Sequence, residues 1–335
     1  MNIKEAQENI IDIIKAGLTV MLTGSPGLGK SDLVREIAKK FNLEIIDIRL
    51  SQCDPTDING FPIHDGMRMT YAPPKHFPLQ ELDKLPPGKD GWLLFLDEFN
   101  SASLAVQAAS YRLVLDRQIG QYNLHKNVAI ICAGNKMTDG AIVNRMSTAM
   151  QSRLIHLELE VDAQVWLEHA ISSEFDHRVT SYIEGRPEHL HRFDPKHNDV
   201  TFSCPRTWEF TSKLIKGKEV TPAMLNLLIG TLSAGIAHQF HAYMSYCSKL
   251  PSIQEIKSNP TTVAINTDPA MLYAVSHMVA AYLNETNASQ LILFIRRLPL
   301  EFGITSVRAA LKRNKALMRV DAIRDWAHEF AATIF

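Results

Sequence analysis

The residues whose types and spacing point most directly to chemistry lie between positions 24 and 31. They fit the pattern G-x-x-x-x-G-K-[ST], in which glycines let backbone N–H groups surround a phosphate, because a Cβ atom would block its approach. The lysine of this pattern would reach the terminal phosphates, and the hydroxyl would be a ligand of Mg²⁺. The predicted binding residues are Gly24, Ser25, Pro26, Gly27, Leu28, Gly29, Lys30 and Ser31. We therefore predict a nucleotide-binding loop.

The segments beside this loop have the patterns that such a loop requires. Residues 18–22 are apolar and typical of a buried strand, and residues 31–40 have Leu33, Val34 and Ile37 on one face of a predicted helix. A helix that begins at about Lys30 would add its N-terminal dipole to the same anion site. The loop is thus predicted to join a strand to a helix.

Further polar residues follow two other apolar segments. Residues 92–96 are continuously apolar, as in a buried parallel strand, and they are followed by Asp97 and Glu98. An acidic residue here would hold Mg²⁺ through water, and a second carboxylate could deprotonate the attacking water. Asn135 follows the apolar segment 128–133, where its amide could contact the γ-phosphate or that water. Together these residues predict phosphoryl transfer.

The order of strands and helices indicates a doubly wound α/β core over residues 1–160. The predicted parallel strands cover residues 18–22, 45–50, 92–96, 128–133 and 153–159, and residues 102–116 are a predicted helix. Residues 51–91 contain seven prolines and a predicted hairpin of residues 60–63 and 67–71 around a D-G turn.

After residue 161 the pattern becomes helical. We predict a helical lid over residues 161–250 and a helical C-terminal region over 251–335. The predicted helices cover 162–172, 176–184, 205–216, 222–249, 269–283, 289–297 and 305–331, with a proline-punctuated loop between 251 and 269.

The composition excludes several classes of protein. A net charge of −1 gives no overall attraction to nucleic acid or membranes, and no long apolar segment predicts a membrane span. The four cysteines are scattered, which favours reduced thiols over a disulfide framework. Since no signal peptide is evident at Met1, we expect a cytoplasmic protein.

The combined motifs resemble those of one family. Residues 24–31, 93–98 and 133–135 resemble the Walker A, Walker B and sensor 1 motifs of AAA+ ATPases, and residues 97–102, 116–120 and 144–153 resemble the MoxR-like members of the helix-2-insert group. The resemblance extends over residues 18–216. It implies a P-loop AAA+ fold in which the proline-rich segment 54–78 is the insert near the pore of a ring.

The same resemblance implies roles for individual side chains. It makes Glu98 the catalytic base, Asn135 the sensor and Arg153 the arginine finger that completes a neighbour's site, with Arg145 as the alternative finger. Arg206, in the first turn of a predicted helix, resembles the sensor 2 arginine. A cation there opposes the helix dipole, a cost that a phosphate beside it would offset.

These features predict an Mg²⁺- and ATP-dependent ATPase. By resemblance it would be a homo-oligomeric, hexameric ring with a chaperone-like role, remodelling or assembling a macromolecule and often accompanied by a protein with a von Willebrand factor A domain. One alternative is a nucleic-acid motor or loader. The basic and aromatic residues of the insert that could contact nucleic acid in the pore are few, namely Arg68, Tyr71 and Lys75. Another is a slow nucleotide-dependent assembly switch, against which the intact Asp97–Glu98 pair argues.

Overall fold

A computed structural model of the chain describes residues 1–139, 143–196 and 199–334. The chain divides into two compact units. The first consists of Met1–Val161 with Asp194–Lys196, and the second of Asp162–Phe193 with His197–Phe335.

The first unit alternates strands with helices, as predicted. Its elements are α1 (Ile3–Lys15), β1 (Val20–Thr23), α2 (Lys30–Lys40), β2 (Leu43–Arg49), α3 (Pro55–Asn59), β3 (Phe61–Asp65), β4 (Arg68–Ala72), β5 (Gly91–Asp97), α4 (Leu104–Tyr111), β6 (Gln118–Ile119), β7 (Tyr122–Asn123), β8 (Val128–Gly134), α5 (Thr148–Gln151) and β9 (Ile155–Glu158).

Five of these strands form one sheet in the order β2-β5-β8-β1-β9, and each neighbouring pair is parallel. The predicted parallel five-stranded α/β fold is confirmed. Since all carboxyl ends of a parallel sheet meet at one edge, the loops that follow β1, β5 and β8 lie together.

Both faces of the sheet are covered, which explains why its strands are apolar without alternation. Leu93 and Phe95 of β5 pack in a core with α1 and α2. Leu94 and Leu96 point the other way, into a core that includes residues of α3 and α4. The helix over residues 102–116 is shorter than predicted, because α4 passes into a π-helical turn at Arg112–Asp116.

The predicted hairpin is confirmed as the antiparallel pair β3–β4, with Phe61 opposite Ala72 and His64 opposite Met69. A smaller pair, β6–β7, follows the π-helical turn. The hairpin has large apolar side chains in solvent: Phe61 is 67% exposed, Met69 58%, and Met67 completely so.

The second unit is helical in the part that the structure describes. Its helices are α6 (Ala163–Ser172), α7 (His177–Gly185), α8 (Pro205–Ile215), α9 (Met224–Ile229), α10 (Ala234–Cys247), α11 (Ile253–Ser258), α12 (Pro269–Tyr282), α13 (Ala288–Ile295), α14 (Leu300–Arg313) and α15 (Asp321–Ile334). Apolar side chains of α11 to α15 form one core.

Three predictions in this unit were wrong. The single helix over 222–249 is two helices, separated by a turn in which Leu232 is buried and the Thr231 hydroxyl donates 3.0 Å to the Leu228 carbonyl. The helix over 305–331 is interrupted at Asn314, whose extended backbone ends α14 and whose side chain accepts from the Ala316 N–H. The predicted loop 251–269 contains α11, which begins with a capping box at Ser252. None of the described helices has both the length and the apolarity that a membrane crossing requires.

Candidate nucleotide-binding site

The predicted site residues of the first unit come together at the carboxyl edge of the sheet. The phosphate loop follows β1, Asp97 is the last residue of β5, and Asn135 follows β8. Because β8 lies between β5 and β1 in the sheet, Asn135 lies between the loop and the two acidic residues. The parallel topology therefore positions all three groups at one place.

The loop backbone has the conformation that its glycines predict. Gly27 and Gly29 have φ values of 79° and 87°, in the left-handed region that favours glycine. Gly29 is also the N-cap of α2, and its carbonyl accepts from the Leu33 N–H at 3.0 Å. The N–H groups of the first turn of α2 are therefore available to an anion at this end.

The Lys30 ammonium lies among the loop and the sensor residue. It donates to the carbonyl oxygens of Gly24, at 2.5 Å, and Ser25, at 3.1 Å, and lies 3.4 Å from Asn135 Oδ1. One cation therefore contacts both the phosphate loop and the tip of β8.

The oxygen atoms of Ser31 and Asp97 are suited to a divalent cation. Ser31 Oγ lies 3.5 Å from Asp97 Oδ2. Asp97 Oδ1 in turn accepts from the Glu98 N–H at 2.8 Å, which fixes the orientation of the carboxylate. One hydroxyl and one carboxylate, with room for phosphate and water ligands, match the way proteins usually bind Mg²⁺.

Negative charge accumulates beside this pair. Burial, and next the nearby Asp97 carboxylate, raise the pKa of Asp47 above its usual value, while Arg49 and Arg35 oppose the shift. Because like charges repel, the carboxylate of Asp97 disfavours the charged form of Asp47 on the neighbouring strand. A bound cation would reduce this repulsion.

Glu98 has a left-handed backbone, with φ 55° and ψ 33°. Its carboxylate accepts a hydrogen bond from the hydroxyl of Ser51, which lies in a 3₁₀ turn after β2. Sequence reasoning missed Ser51, because a serine in a polar loop belongs to no motif. Only the pairing of β2 with β5 brings it to Glu98.

Asn135 is supported by a second residue that sequence reasoning missed. Asn100 Nδ2 donates to the Asn135 carbonyl at 2.8 Å, and Asn100 Oδ1 accepts from the Asn135 N–H at 3.2 Å. The amide of Asn100 thus pairs with both backbone groups of the predicted sensor. It lies in the segment 97–102 that resembles the MoxR-like motif, but the sequence predicted no role for it.

The three predicted arginines lie in different places. Arg145 is exposed and lines a cavity of about 690 Å³ whose walls also include Asn100 and Asn135. Arg153 is exposed between α5 and β9, and donates to the Ala149 carbonyl at 3.1 Å. Arg206 belongs to the second unit, where it is exposed in the first turn of α8. Their roles stay predictions.

Residues 19–154 match a family model described as "AAA domain (dynein-related subfamily)". The matched segment is therefore similar to an AAA domain. Within it lie the phosphate loop, Asp97, Glu98 and Asn135, together with Ser51 and Asn100. Comparison with curated proteins found no match.

Several solved structures are similar to the chain at low sequence identity. A protein described as a "putative ATPase" from Cytophaga hutchinsonii is 15% identical, over 92% of this chain and 80% of that chain, with a TM-score of 0.38. A mutant of RuvB from Thermotoga maritima is 18% identical, over 78% and 79%, with a TM-score of 0.41. NtrX from Brucella abortus is 17% identical, over 89% and 64%, with a TM-score of 0.37.

Proposed function

We propose that the protein is an Mg²⁺-dependent ATPase that acts as a homo-oligomeric AAA+ ring of the MoxR-like type. In this proposal it uses ATP hydrolysis to remodel or assemble a macromolecular partner. The observation that supports it best is the convergence of Lys30, Ser31, Asp97, Glu98 and Asn135 at the carboxyl ends of three adjacent parallel strands.

Each of these groups has a defined task in phosphoryl transfer. The loop N–H groups and Lys30 bind the phosphates and neutralise their charge, and Asn135 orients the reacting end. Glu98 accepts the proton of the attacking water, while the hydrogen bond from Ser51 occupies one acceptor site of its carboxylate. Because transfer from ATP to water needs no covalent enzyme intermediate, positioning and charge account for the catalysis.

Ser31 and Asp97 are the proposed holders of Mg²⁺. Their oxygen atoms are 3.5 Å apart beside the N-terminus of α2, so they could bind one ion directly and through water. The ion would neutralise the phosphate oxygens; the protein's task is to hold Asp97 in place through the Glu98 N–H.

A ring is proposed because Arg153 lies exposed on the domain surface, where it could reach the site of a neighbouring subunit. Arg145 instead lines a cavity with Asn135 of its own chain. In the second unit, Arg206 is proposed to act as sensor 2. A von Willebrand factor A protein is the partner type that the MoxR-like resemblance suggests.

The exposed side chains of the β3–β4 hairpin favour a protein partner over a nucleic acid. Phe61, Met67 and Met69 are apolar and largely in solvent, and Arg68 is one of the few cations beside them. Nucleic-acid binding depends on multiple cations that neutralise phosphates, whereas exposed apolar patches mark protein contacts.

Steady-state ATP hydrolysis measured against protein concentration tests this function. Oligomer mass is measured in parallel, with and without ATP, for the wild type, Glu98→Gln and Arg153→Ala. We expect specific activity to rise as the oligomer forms. Glu98→Gln should bind ATP but lose turnover by roughly a hundredfold or more, because the proton acceptor is lost.

The controls separate the proposal from its alternatives. Arg153→Ala should assemble normally yet lose activity, whereas activity that is independent of both concentration and Arg153 would refute the shared site. Stimulation of hydrolysis by DNA would favour the nucleic-acid motor. Tight ATP binding without turnover in the wild type would favour the assembly switch.

A further inference from the structure

Asn100 uses its side chain to form two hydrogen bonds with the backbone of one distant residue, Asn135. It is 4% exposed and belongs to the 3₁₀ turn Phe99–Ser101. Both atoms of its side-chain amide are used: one donates to the Asn135 carbonyl at 2.8 Å, and the other accepts from the Asn135 N–H at 3.2 Å. A buried amide with both ends paired to one residue can adopt only one orientation.

Gly134, the last residue of β8, precedes Asn135 and leaves room for the Asn100 amide. A Cβ atom built on Gly134 would overlap Asn100 Oδ1, and would lie 2.6 Å from Asn100 Cγ and 2.8 Å from Met21 Cε. Any side chain at position 134 would therefore displace Asn100. The close approach of the turn to β8 depends on glycine here.

The same turn also holds the segment before Arg145. The Asn144 N–H donates to the Asn100 carbonyl at 2.6 Å, and Asn144 Nδ2 donates to the Ala102 carbonyl at 2.8 Å. Asn100 is therefore bonded to the predicted sensor on one side and to the residue before Arg145 on the other.

We propose that Asn100 is a positioning residue that fixes the predicted sensor Asn135 against the γ-phosphate position. This inference rests on the proposed nucleotide-binding function. The Asn135 side chain lies 3.4 Å from the Lys30 ammonium, so a change in its backbone position would move its amide away from the phosphate-binding lysine. Asn100 acts through Asn135 and does not itself contact the nucleotide.

The proposal predicts a specific effect on the discrimination between ATP and ADP. A misplaced sensor loses a contact to the γ-phosphate, which ADP lacks. Asn100→Ala should therefore weaken ATP binding by about fivefold, the loss expected for one hydrogen bond, while ADP affinity changes little. Asn100→Leu, which retains the branched shape of the side chain without either hydrogen bond, should have the same effect.

The experiment measures the binding of ATP and ADP by calorimetry, in the Glu98→Gln background so that ATP is not consumed. The substitutions at Asn100 are made with Asn135 intact and again in an Asn135→Ala background. Because Asn100 acts through the sensor, its substitution should change the ATP-to-ADP affinity ratio only when Asn135 is intact. Thermal unfolding shows that each variant is folded.

Gln107 provides a matched control, because it is also a buried amide of this region, 5% exposed, and its Nε2 donates to the Ala102 carbonyl at 3.1 Å. Gln107→Ala should lower the free energy of unfolding without changing the affinity ratio. Equal losses of ATP affinity for Asn100 variants with and without Asn135, or an unchanged ratio in folded variants, would overturn the inference. A parent protein that binds neither nucleotide would instead refute the proposed function.

Discussion

The Ser51 hydroxyl donates a hydrogen bond to the carboxylate of Glu98, the predicted catalytic base. Ser51 follows β2 and Glu98 follows β5, and these two strands pair from Leu43 opposite Gly91 to Arg49 opposite Asp97. The register of the sheet thus brings a polar loop residue to the base. If the attacking water approaches the acceptor site that Ser51 occupies, Glu98 must release this hydrogen bond before it accepts the proton.

We expect Ser51→Ala to raise the basal rate of ATP hydrolysis several-fold. Breaking one hydrogen bond to a carboxylate costs at most about 1.5–3 kcal/mol. In Ser51→Ala this bond is absent, so the activation free energy should fall by part of that amount. The Michaelis constant for ATP should change little, because Ser51 does not belong to the phosphate loop. Initial rates over a range of ATP concentrations measure both quantities.

Ser103→Ala is the matched control for this change. Its hydroxyl accepts from the Val106 N–H at the start of α4, so its loss should lower stability by about 1 kcal/mol and leave hydrolysis unchanged. A lower kcat in Ser51→Ala would show that the hydrogen bond orients Glu98 productively, contrary to this prediction.

The two candidate finger arginines, Arg145 and Arg153, should behave differently in mixed rings. Arg153→Ala and Glu98→Gln are each expected to be inactive alone. When they are mixed, some interfaces combine an intact Glu98 with an intact Arg153 from the neighbour, so activity should reappear. ATP hydrolysis across a series of mixing ratios measures this recovery.

Arg145→Ala is the comparison in the same experiment. Since Arg145 lines a cavity with Asn135 of its own chain, its defect should stay within one subunit. Mixing it with Glu98→Gln should then restore nothing, because no site combines both intact residues. Recovery with Arg145→Ala but not with Arg153→Ala would show that Arg145 is the arginine finger and that Arg153 acts within its own subunit.

The strands and the phosphate loop could be predicted from sequence because their signals are local. Apolar runs mark buried parallel strands, and the glycines at 27 and 29 are required by the loop's own backbone. The arrangement of Asp97 and Asn135 follows once the strands are parallel. These features need no knowledge of distant contacts.

Other features depend on tertiary contacts that no local pattern contains. The π-helical turn after α4 leads to Arg117, which has a left-handed backbone and whose half-buried guanidinium donates to the carbonyls of His125 and Val128. The break between α9 and α10, by contrast, has local signals that the prediction of one helix overlooked: Gly230 is the C-cap of α9 and Ser233 is the N-cap of α10. Asn100 was visible in its motif, but its role appears only when β8 lies beside its turn.

Gly134→Ala should both destabilise the first unit and reduce hydrolysis. The added Cβ would overlap the Asn100 amide and lie 2.8 Å from Met21 Cε, an overpacking that typically costs about 1–3 kcal/mol. Urea unfolding and steady-state hydrolysis measure the two effects.

Gly235→Ala is the control. A Cβ at this position of α10 meets nothing within 4 Å, so the variant should be at least as stable as the wild type. An equally stable Gly134→Ala would contradict the close packing of β8 on Asn100.

The second unit should lose stability in mild acid through His177. Burial lowers the pKa of His177 from 6.5 to about 4; Arg178 and His277 act in the same direction, and Asp176 opposes them. Between these two pH values the unfolded chain binds a proton that the folded chain does not, so stability falls as the pH drops from 6.5 towards 4. Urea unfolding at pH 7, 6 and 5 should therefore show a larger loss in the free energy of unfolding for the wild type than for His177→Gln.

His238→Gln is the control, because it replaces an exposed histidine of α10. Its loss of stability should follow that of the wild type. Parallel losses in wild type and His177→Gln would show that His177 is not the group responsible.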